Sequence, residues 1–470
     1  MFDTATTSPP PRMTTPGKLV SSLIAIIVVA VLAAAGSLWA VGNIRDAART
    51  VGRDAEPSVA LALRMAAALA DMDAVAIGDS LLDGGAAIGT SARFRAGTDQ
   101  LASDIVDASR NITYGDAEAL PLRELLRSLA RYQEAIAEAR SVGPGNIWLT
   151  SQRMQWASRV NRDFAAPQAE ALAKANADEL ERHYADYRAT ALICGGTGFA
   201  AFALLVATLL GVQVFLARRM RRLVNPLLAS ATVIAAASGL WFGANVLTER
   251  ADLRAAKADA YDSLHVLFEA KSAANALRAA MSLWLLDPAA RADAQARIDA
   301  ATHALIGTDL TRPDQRRPLL EGLGRALALE RDGSPSRAIA EAPHPGGLLG
   351  TELDTVTFGV AEREAATQSV ALLADAEALL RAVQTQELRP DHPAAVRLWL
   401  DEDGPGGAAV FLALQAALDR TIAVNQAQFD LRITVALGRA WLIPIVICAA
   451  LVATALLSAG GLWLRLREYR

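Results

Sequence analysis

The chain has very few cysteines. Only Cys194 and Cys448 occur among its 470 residues, and both fall inside long apolar stretches. The charged segments between those stretches therefore contain no disulfide bonds, so their stability must come from helix packing. The alternation of β-branched and polar residues that is typical of strands is absent as well. These two absences predict an all-α fold.

The sequence also lacks a catalytic or metal-binding constellation. It contains no phosphate-binding loop, no Rossmann glycine pattern, no kinase signature and no H-E-x-x-H motif. The histidines are scattered, and those beside proline are better explained as solvated loop residues than as metal ligands. We therefore predict a protein that is not an enzyme and has no cofactor or metal. The histidines are His183, His265, His303, His344 and His392.

Charge of one sign is not in excess, since the net charge is −4, and no basic footprint for nucleic acid is present. The hydrophobic fraction of 53% and the mean hydropathy of +0.24 are too high for an ordinary soluble enzyme. The charged fraction of 20% is too high for a transporter that is membrane throughout. Composition thus favours a membrane protein with large segments outside the lipid.

Four apolar stretches are each long enough to span a bilayer: Leu19–Val41, Ala191–Leu216, Leu227–Val246 and Trp441–Leu464. None of them contains Asp, Glu, Lys or Arg, which argues against a proton or ion path through the spans. The glycine-rich run at 195–198 lies within the second stretch, where it favours close helix contact. The first stretch is longer than a signal-peptide core, so we interpret it as a retained anchor.

Basic residues predict the orientation of these spans by the positive-inside rule. The turn between the second and third stretches has four arginines in five positions, and the chain ends with three more. We therefore place this turn and both termini in the cytoplasm of a multi-pass plasma-membrane protein. The residues of this basic cluster are Arg218, Arg219, Arg221, Arg222, Arg465, Arg467 and Arg470.

The predicted domain order follows from these spans. It begins with a disordered cytoplasmic tail (1–18), the first span (19–42), an extracytoplasmic helical bundle (43–189) and the second span (190–217). An Arg-rich turn (218–226), the third span (227–247), a second extracytoplasmic bundle with Gly/Pro loops (248–438), the fourth span (439–464) and a cytoplasmic tail (465–470) complete the chain.

The two halves show a weak internal repeat. Leu81-Leu82-Asp83 is echoed by Leu285-Leu286-Asp287, and Asn176 precedes the second span by about the distance at which Asn425 precedes the fourth. Each half would then be an anchor, an outer helical domain and a second anchor, which is the arrangement of a tandem duplication. The sequence leaves open whether the two outer bundles pack together.

The outer segments are predicted to be helical, because apolar residues recur every three or four positions. If no break occurs before Pro57, one helix would run through 19–83. The first bundle should also contain helices at 91–111 and about 116–140, with a long return helix from 147. The second segment has Gly/Pro loops near 312–313, 333–335, 343–347 and 404–407, which favour docking of a partner or simply tolerate insertions.

Small residues at fourfold spacing line the third span. This ridge predicts close approach of another helix, although lipid-facing Ala and Gly would give the same pattern. The basic cluster, together with Asn225, predicts a contact surface for a cytosolic partner; the alternative is that these arginines only fix the topology and touch anionic lipid. The ridge consists of Ala231, Ala235, Gly239 and Gly243.

Two anchor–bundle–anchor units, an Arg-rich hairpin leading into Asn225-Pro226 and an abrupt basic C-terminus resemble one actinobacterial family. It is the four-span membrane component of an amino-acid-sensing system. The resemblance implies that an extracytoplasmic glutamate/aspartate-binding lipoprotein engages the outer domains. It also implies that the signal passes to a cytosolic serine/threonine kinase, protein kinase G. It implies no individual ligand-binding residue.

We therefore hypothesise a non-enzymatic signalling adaptor that relays extracytoplasmic amino-acid availability to a kinase. Two alternatives stay open. One is a receptor that binds a small molecule directly in an outer bundle, as chemoreceptor ectodomains do. The other is a passive cell-envelope scaffold. A homo-oligomer is compatible with all three.

Overall fold

The computed structural model describes residues 15–50, 52, 56–82, 88–143, 146–220, 225–255, 257, 261–389, 391–402 and 404–467. No strand occurs among these residues, so the predicted all-α class is confirmed for the described part of the chain. The helices are α1 (Thr15–Arg49), α2 (Glu56–Asp79), α3 (Ala92–Arg110), α4 (Asp116–Ser141), α5 (Ile147–Val160), α6 (Ala166–Met220), α7 (Pro226–Ala255), α8 (Asp262–Leu286), α9 (Arg291–Leu305), α10 (Pro313–Arg331), α11 (Pro335–Glu341), α12 (Gly347–Thr355), α13 (Val360–Glu387), α14 (His392–Leu400) and α15 (Gly407–Arg467).

Side-chain caps explain where several of these helices begin. Ser91 Oγ accepts a hydrogen bond from the Phe94 N–H at 3.3 Å, and Asn146 Oδ1 accepts one from the Leu149 N–H at 3.0 Å. Each cap satisfies a backbone donor that the first helical turn leaves unpaired. The helices predicted at 91–111, about 116–140 and from 147 are therefore confirmed as α3, α4 and α5.

The predicted helix through 19–83 is not one regular α-helix in the described residues. α1 ends at Arg49, Thr50 and Gly52 are π-helical, and α2 runs from Glu56 to Asp79 with Pro57 in its first turn. Residues 51 and 53–55, where the two helices would join, lie outside the described residues. Proline is tolerated in the first turn of an α-helix because the donor that it lacks has no partner there. The Gly/Pro loops predicted in the second outer segment do separate helices, at the starts of α10, α11, α12 and α15.

The chain divides into two units. The first, the apolar unit, comprises residues 1–50, 183–253 and 433–470. Within the described residues, five helical segments are long and apolar enough to cross a membrane: Gly17–Asp46, Ile147–Arg218, Pro226–Asp252, Gly407–Val435 and Trp441–Arg467. Four of them contain the four predicted stretches. The protein is thus a helical membrane protein.

Small residues allow the helices of the apolar unit to approach closely. A Cβ built on Gly36 would lie 3.5 Å from the Gly198 Cα, and one built on Gly198 would lie 2.8 Å from Phe242 Cε1. The glycine run of α6 therefore contacts both α1 and α7, as the sequence predicted for close helix contact. Because the apolar interior is already filled at Gly198, a larger side chain there must displace a ring or a backbone.

We expect Gly198→Leu to loosen this packing, at a cost of about 1–3 kcal/mol for overpacking. In a Cys448→Ser background, the variant should speed maleimide labelling of Cys194, whose side chain is fully buried beside Asn43. Gly196→Leu is the matched control, because a Cβ there would meet nothing within 4 Å. Equal labelling rates in the two variants would contradict a packing role for Gly198.

The second unit, the helical unit, comprises residues 51–182 and 254–432 and so contains both outer segments. α2 packs along α8, and Asp287 Oδ2 accepts hydrogen bonds from Ser151 Oγ at 2.8 Å and Gln155 Nε2 at 2.7 Å. The two outer segments therefore form one packed body, which answers the question that the sequence left open. A hydrophobic core lies in the second segment, around Leu277, Leu373 and Trp399.

Candidate functional site

A cleft of about 460 Å³ lies within the helical unit. The cleft is lined by residues of α2, α5, α8 and α9 and by residues of the first turns of α6. Both outer segments therefore contribute to its walls. Its volume falls in the range of small-molecule sites, roughly 300–1,000 Å³. Asp73, Ser158 and Asn161 are buried in the cleft, whereas Arg162 and Glu170 are exposed at its rim.

Asp73 is the buried carboxylate of the cleft, with 8% of its surface exposed. Ser158 Oγ donates a hydrogen bond to its Oδ2 at 2.6 Å, and Tyr132 OH donates one to its Oδ1 at 3.4 Å. Burial raises the pKa of Asp73 to about 6, although these hydrogen bonds and the charge of Arg162 oppose the shift. The two hydrogen bonds from Ser158 and Tyr132 nevertheless suit a carboxylate, because both of its oxygens accept.

Asn161 provides an acceptor without a partner. It begins a π-helical turn, Asn161–Ala165, which interrupts the passage from α5 to α6. Its Nδ2 donates to the Leu69 carbonyl at 2.8 Å, whereas its Oδ1 is buried with no hydrogen bond. Only 3% of the residue is exposed, and it lines the cleft. Single π turns occur often at functional sites, because they redirect side chains out of the helical register.

Arg162, Glu170 and Arg297 place both signs of charge at the cleft. Arg162 Nε pairs with Asp163 at 3.1 Å and Arg297 Nη2 pairs with Asp293 at 2.6 Å, so each guanidinium keeps further N–H donors for a ligand. Both arginines act on the charge of Asp73. Burial, and then the charge of Glu269, raises the pKa of Glu170.

The remaining wall of the cleft is mainly alanine. Ala66 and Ala70 come from α2, Ala273 and Ala276 from α8, and Ala300 from α9. Alanine at these facing positions leaves open space between helices that leucine would fill. From the sequence, the apolar residues that recur along these helices predicted helical faces only, and the structure shows that part of this surface lines the cleft.

The sequence analysis missed every polar residue of this cleft. One available signal was Asp73, which falls on the apolar stripe that includes Ala70 and Ile77. An acidic residue on a buried helix face must find hydrogen-bond partners or change its pKa. The importance of Asn161 had no such signal, because a π turn is not visible in residue periodicity.

A second missed signal is a shared helix-start motif. Thr113-Tyr114-Gly115 precedes α4, and Thr357-Phe358-Gly359 precedes α13; both glycines have positive φ, 64° and 91°. Glu118 Oε2 accepts the N–H groups of Thr113 and Tyr114, both at 2.7 Å. Glu362 Oε2 likewise accepts those of Thr357 and Phe358, at 3.0 and 2.8 Å.

A residue just before each motif also hydrogen-bonds to the first turn of an earlier helix, α2 in the first segment and α8 in the second. Asn111 Nδ2 donates to Ser58 Oγ at 2.7 Å in the first segment. Thr355 Oγ1 and Ser263 Oγ lie 3.1 Å apart in the second. Ser58 lies in the first turn of α2 and Ser263 in the first turn of α8. The two outer segments thus share local geometry as well as residue types.

The predicted basic cluster is only partly described. Arg218 is exposed near the end of α6, and Arg219 follows it in the same helix. Arg465 is half-buried, and the Arg467 guanidinium lies 4.9 Å from the centroid of the Trp463 ring. Arg221, Arg222 and Arg470 lie outside the described residues.

Asn225 has a structural position within the apolar unit. Its Oδ1 accepts a hydrogen bond from the Leu227 N–H at 3.2 Å, and its Nδ2 donates to the Gly461 carbonyl at 3.0 Å. The side chain therefore caps α7 and ties it to α15. A Cβ built on Gly461 would lie 2.7 Å from Leu228 Cδ1, so the two helices are in close contact at this point.

The predicted small-residue ridge of α7 faces other helices along much of its length. Ala231 and Ala235 are fully buried. A Cβ built on Gly239 would lie 2.8 Å from Phe202 Cβ, and one on Gly243 would lie 3.4 Å from Phe199 Cδ2. The glycine end of the ridge thus contacts α6.

Comparison with known proteins gives one match. Residues 47–185, a little under a third of the chain, match the family model described as the actinobacterial sensor domain. No curated protein and no solved structure matches. The matched range includes Asp73, Ser158, Asn161, Arg162 and Glu170. Together with the apolar helices, the match indicates a membrane protein with a sensing or signalling role.

Proposed function

We propose that this protein is a non-enzymatic, four-span transmembrane sensor that passes the state of its helical unit to a cytosolic partner. The observation that carries the proposal is the continuity of α6. Its first turns, with Ala166 and Glu170, line the cleft, and the same uninterrupted helix reaches Arg218 in the basic cluster. A ligand that favours one arrangement of the first turns would therefore act on the residues that the partner reads.

The four-span topology rests on a choice among five candidate segments. Gly407–Val435 is the least apolar of them and the one most buried within the protein. Phe411, Leu414 and Leu418 from this segment belong to the core of the helical unit. We therefore assign it to the outer body. The N- and C-termini and the Arg-rich turn are then cytoplasmic by the positive-inside rule.

A tandem duplication accounts for the two outer segments. The matching glycine caps before α4 and α13, and the carboxylates of Glu118 and Glu362 that close them, support this origin. Both caps combine glycine at positive φ with glutamate three residues later, as expected if the two segments share an origin.

The finer proposal is an adaptor that couples extracytoplasmic glutamate or aspartate to a kinase. A solute-binding lipoprotein would contact the helical unit, and a cytosolic serine/threonine kinase would contact the basic cluster. The match of 47–185 to a sensor domain supports the sensory part of this proposal. The resemblance to the four-span family supports the two partners.

A direct receptor is the second candidate, and the cleft favours it. A preformed cleft with a buried carboxylate, an unpartnered amide oxygen and arginines is a site for a small molecule within the chain itself. In this version no binding protein is needed for ligand recognition, and the route through α6 to the cytoplasm is unchanged.

In-cell cross-linking tests the relay. A photoreactive amino acid at position 218 should capture a cytosolic serine/threonine kinase. Adding extracellular amino acid should change the yield of this cross-link at least about fivefold, as expected for typical allosteric coupling. The same probe at Val233, 67% exposed in the apolar unit, should capture no cytosolic protein. A cross-link yield at position 218 that is the same with and without extracellular amino acid would favour the passive scaffold.

Arginine-to-lysine variants separate partner binding from topology. The double variant Arg218→Lys, Arg219→Lys keeps the positive charge that sets the membrane orientation. It removes the planar guanidinium groups, which bind a carboxylate or phosphate through two hydrogen bonds. With the photoreactive probe at position 467, we expect the kinase cross-link to weaken at least about tenfold, the loss of one good charged hydrogen-bond pair. Wild-type yields would mean that these arginines serve topology and lipid contact alone.

A further inference from the structure

The cleft of the helical unit has a specific pattern of recognition chemistry. Asn161 presents a buried oxygen that accepts nothing from the protein. A buried acceptor without a partner has lost its hydrogen bonds to water and gained none, which is unfavourable by itself. A ligand with an N–H donor would supply the missing bond. This oxygen is the first requirement that the cleft places on its occupant.

The charges nearby favour a cationic donor over a neutral one. Asp73 lies in the same cleft with both oxygens accepting hydrogen bonds, and Glu170 lies at the rim. An ammonium group placed at Asn161 Oδ1 would interact with this negative charge in a partly desolvated site, where such interactions are stronger than in water.

The two arginines set a second requirement. Arg162 and Arg297 are near enough to Asp73 to act on its charge, and each is paired through a single nitrogen. Guanidinium groups bind carboxylates through two parallel hydrogen bonds. A ligand with a carboxylate near its ammonium group could therefore bind the arginines through its carboxylate and Asn161 through its ammonium group.

The wall and the size set the third requirement. The alanines of α2, α8 and α9, with Ile77 and Leu283, offer apolar surface and no further charge. The volume of about 460 Å³ is within the range of small-molecule sites. The body of the ligand should accordingly be apolar and larger than a methyl group.

We infer that this cleft binds a small zwitterion with an apolar body, of the α-amino-acid type. Its ammonium group would donate to Asn161 Oδ1, its carboxylate would pair with Arg162 and Arg297, and its apolar side chain would lie against the alanine wall. The inference deepens the direct-receptor form of the proposed function, on which it rests for its biological meaning, and it selects aliphatic or aromatic amino acids instead of glutamate or aspartate.

Three matched probes test it on the purified full-length chain in lipid nanodiscs. Phenylalanine carries both charges, 3-phenylpropionate lacks the ammonium group, and 2-phenylethylamine lacks the carboxylate. By calorimetry we expect phenylalanine to bind at least about tenfold more tightly than either analogue, since each lost charged hydrogen-bond pair weakens binding by that factor or more. Equal affinity of the three probes, or no binding of phenylalanine, would overturn the inference.

Two variants with controls localise the binding. Ala300→Leu places a larger side chain in the cleft and should abolish phenylalanine binding, whereas Ala296→Leu, on the exposed surface of the same helix outside the cleft, should leave it unchanged. Arg297→Gln should remove the preference for phenylalanine over 2-phenylethylamine. Arg317→Gln, at an exposed ion pair, should keep that preference. Thermal unfolding of each variant excludes loss of fold as the cause.

Failure of the site and failure of the relay give different results. If Ala300→Leu loses phenylalanine binding but the cross-link at position 218 still responds to amino acid as in the wild type, the binding site is supported and the relay from it to position 218 is rejected. Cross-linking that responds to amino acid while the purified chain binds none of the probes would reject the site and favour a separate binding protein.

Discussion

Replacing Glu352 by glutamine is expected to stabilise the helical unit at pH 8 by about 4 kcal/mol and to flatten the dependence of its unfolding free energy on pH. Glu352 is only 1% exposed. Burial, and then the charge of Glu362, raises its pKa from 4.5 to about 8, while hydrogen bonds with Ser263 and Asn425 oppose the shift. A glutamine has the same shape and never needs to carry charge.

The direction of the pH effect follows from proton linkage. Between pH 4.5 and about 8 the folded chain holds a proton on Glu352 that the unfolded chain has released. Stability therefore falls as pH rises through this window, by about 1.4 kcal/mol per pH unit. Below pH 4.5 both states bind the proton and the slope disappears. Glu362, whose pKa is also raised by burial, adds to the slope in the same direction.

Urea unfolding of the full chain in detergent between pH 5 and 8.5 measures this effect. The fluorescence of Trp399 reports on the right unit, because its ring lies in the core and its Nε1–H donates to Ser282 Oγ at 2.8 Å. Glu341→Gln, which alters an exposed pair with Arg337, is the control and should keep the wild-type slope. An unaltered slope in Glu352→Gln would show that this carboxyl is ionised in the folded chain.

Arg363→Met should destabilise the helical unit by about 3–5 kcal/mol. Arg363 and Glu330 form a buried ion pair, with side chains 1% and 5% exposed. Removing the guanidinium leaves the Glu330 carboxylate without a counter-charge in a place that water does not reach. The cost comes chiefly from that stranded charge, since a buried pair gains little over apolar packing of the same volume.

The double variant Arg363→Met with Glu330→Leu distinguishes these two contributions. It should recover most of the lost stability, because no buried charge remains. Arg331→Met is the matched control: its partner is Glu364, both side chains are more than half exposed, and such surface pairs contribute about 0–1 kcal/mol. Urea unfolding monitored as above applies here too. A large loss in the control, or none in Arg363→Met, would contradict this account.

Local sequence patterns determined the helices well. Ser91 and Asn146 are caps whose side chains hydrogen-bond within three residues, so α3 and α5 begin where the sequence places them. The four apolar stretches depend on composition alone and recur among the candidate spans. The end of regular α-helix at Arg49 was missed, since a π-helical turn such as that at Thr50 is not visible in residue periodicity.

By itself the sequence determined what depends on neighbours along the chain: helical class, most helix ends, and apolar segments that suit a membrane. Only the tertiary structure decided the packing of the two outer segments into one body, the cleft between α2 and α8, and the engagement of Asn225 with Gly461. The reason is physical. Asp73, Asn161 and Arg297 are brought together by helices distant in sequence. The periodicity of alanine along a helix is the same whether another side chain packs against that face or a cleft lies beside it.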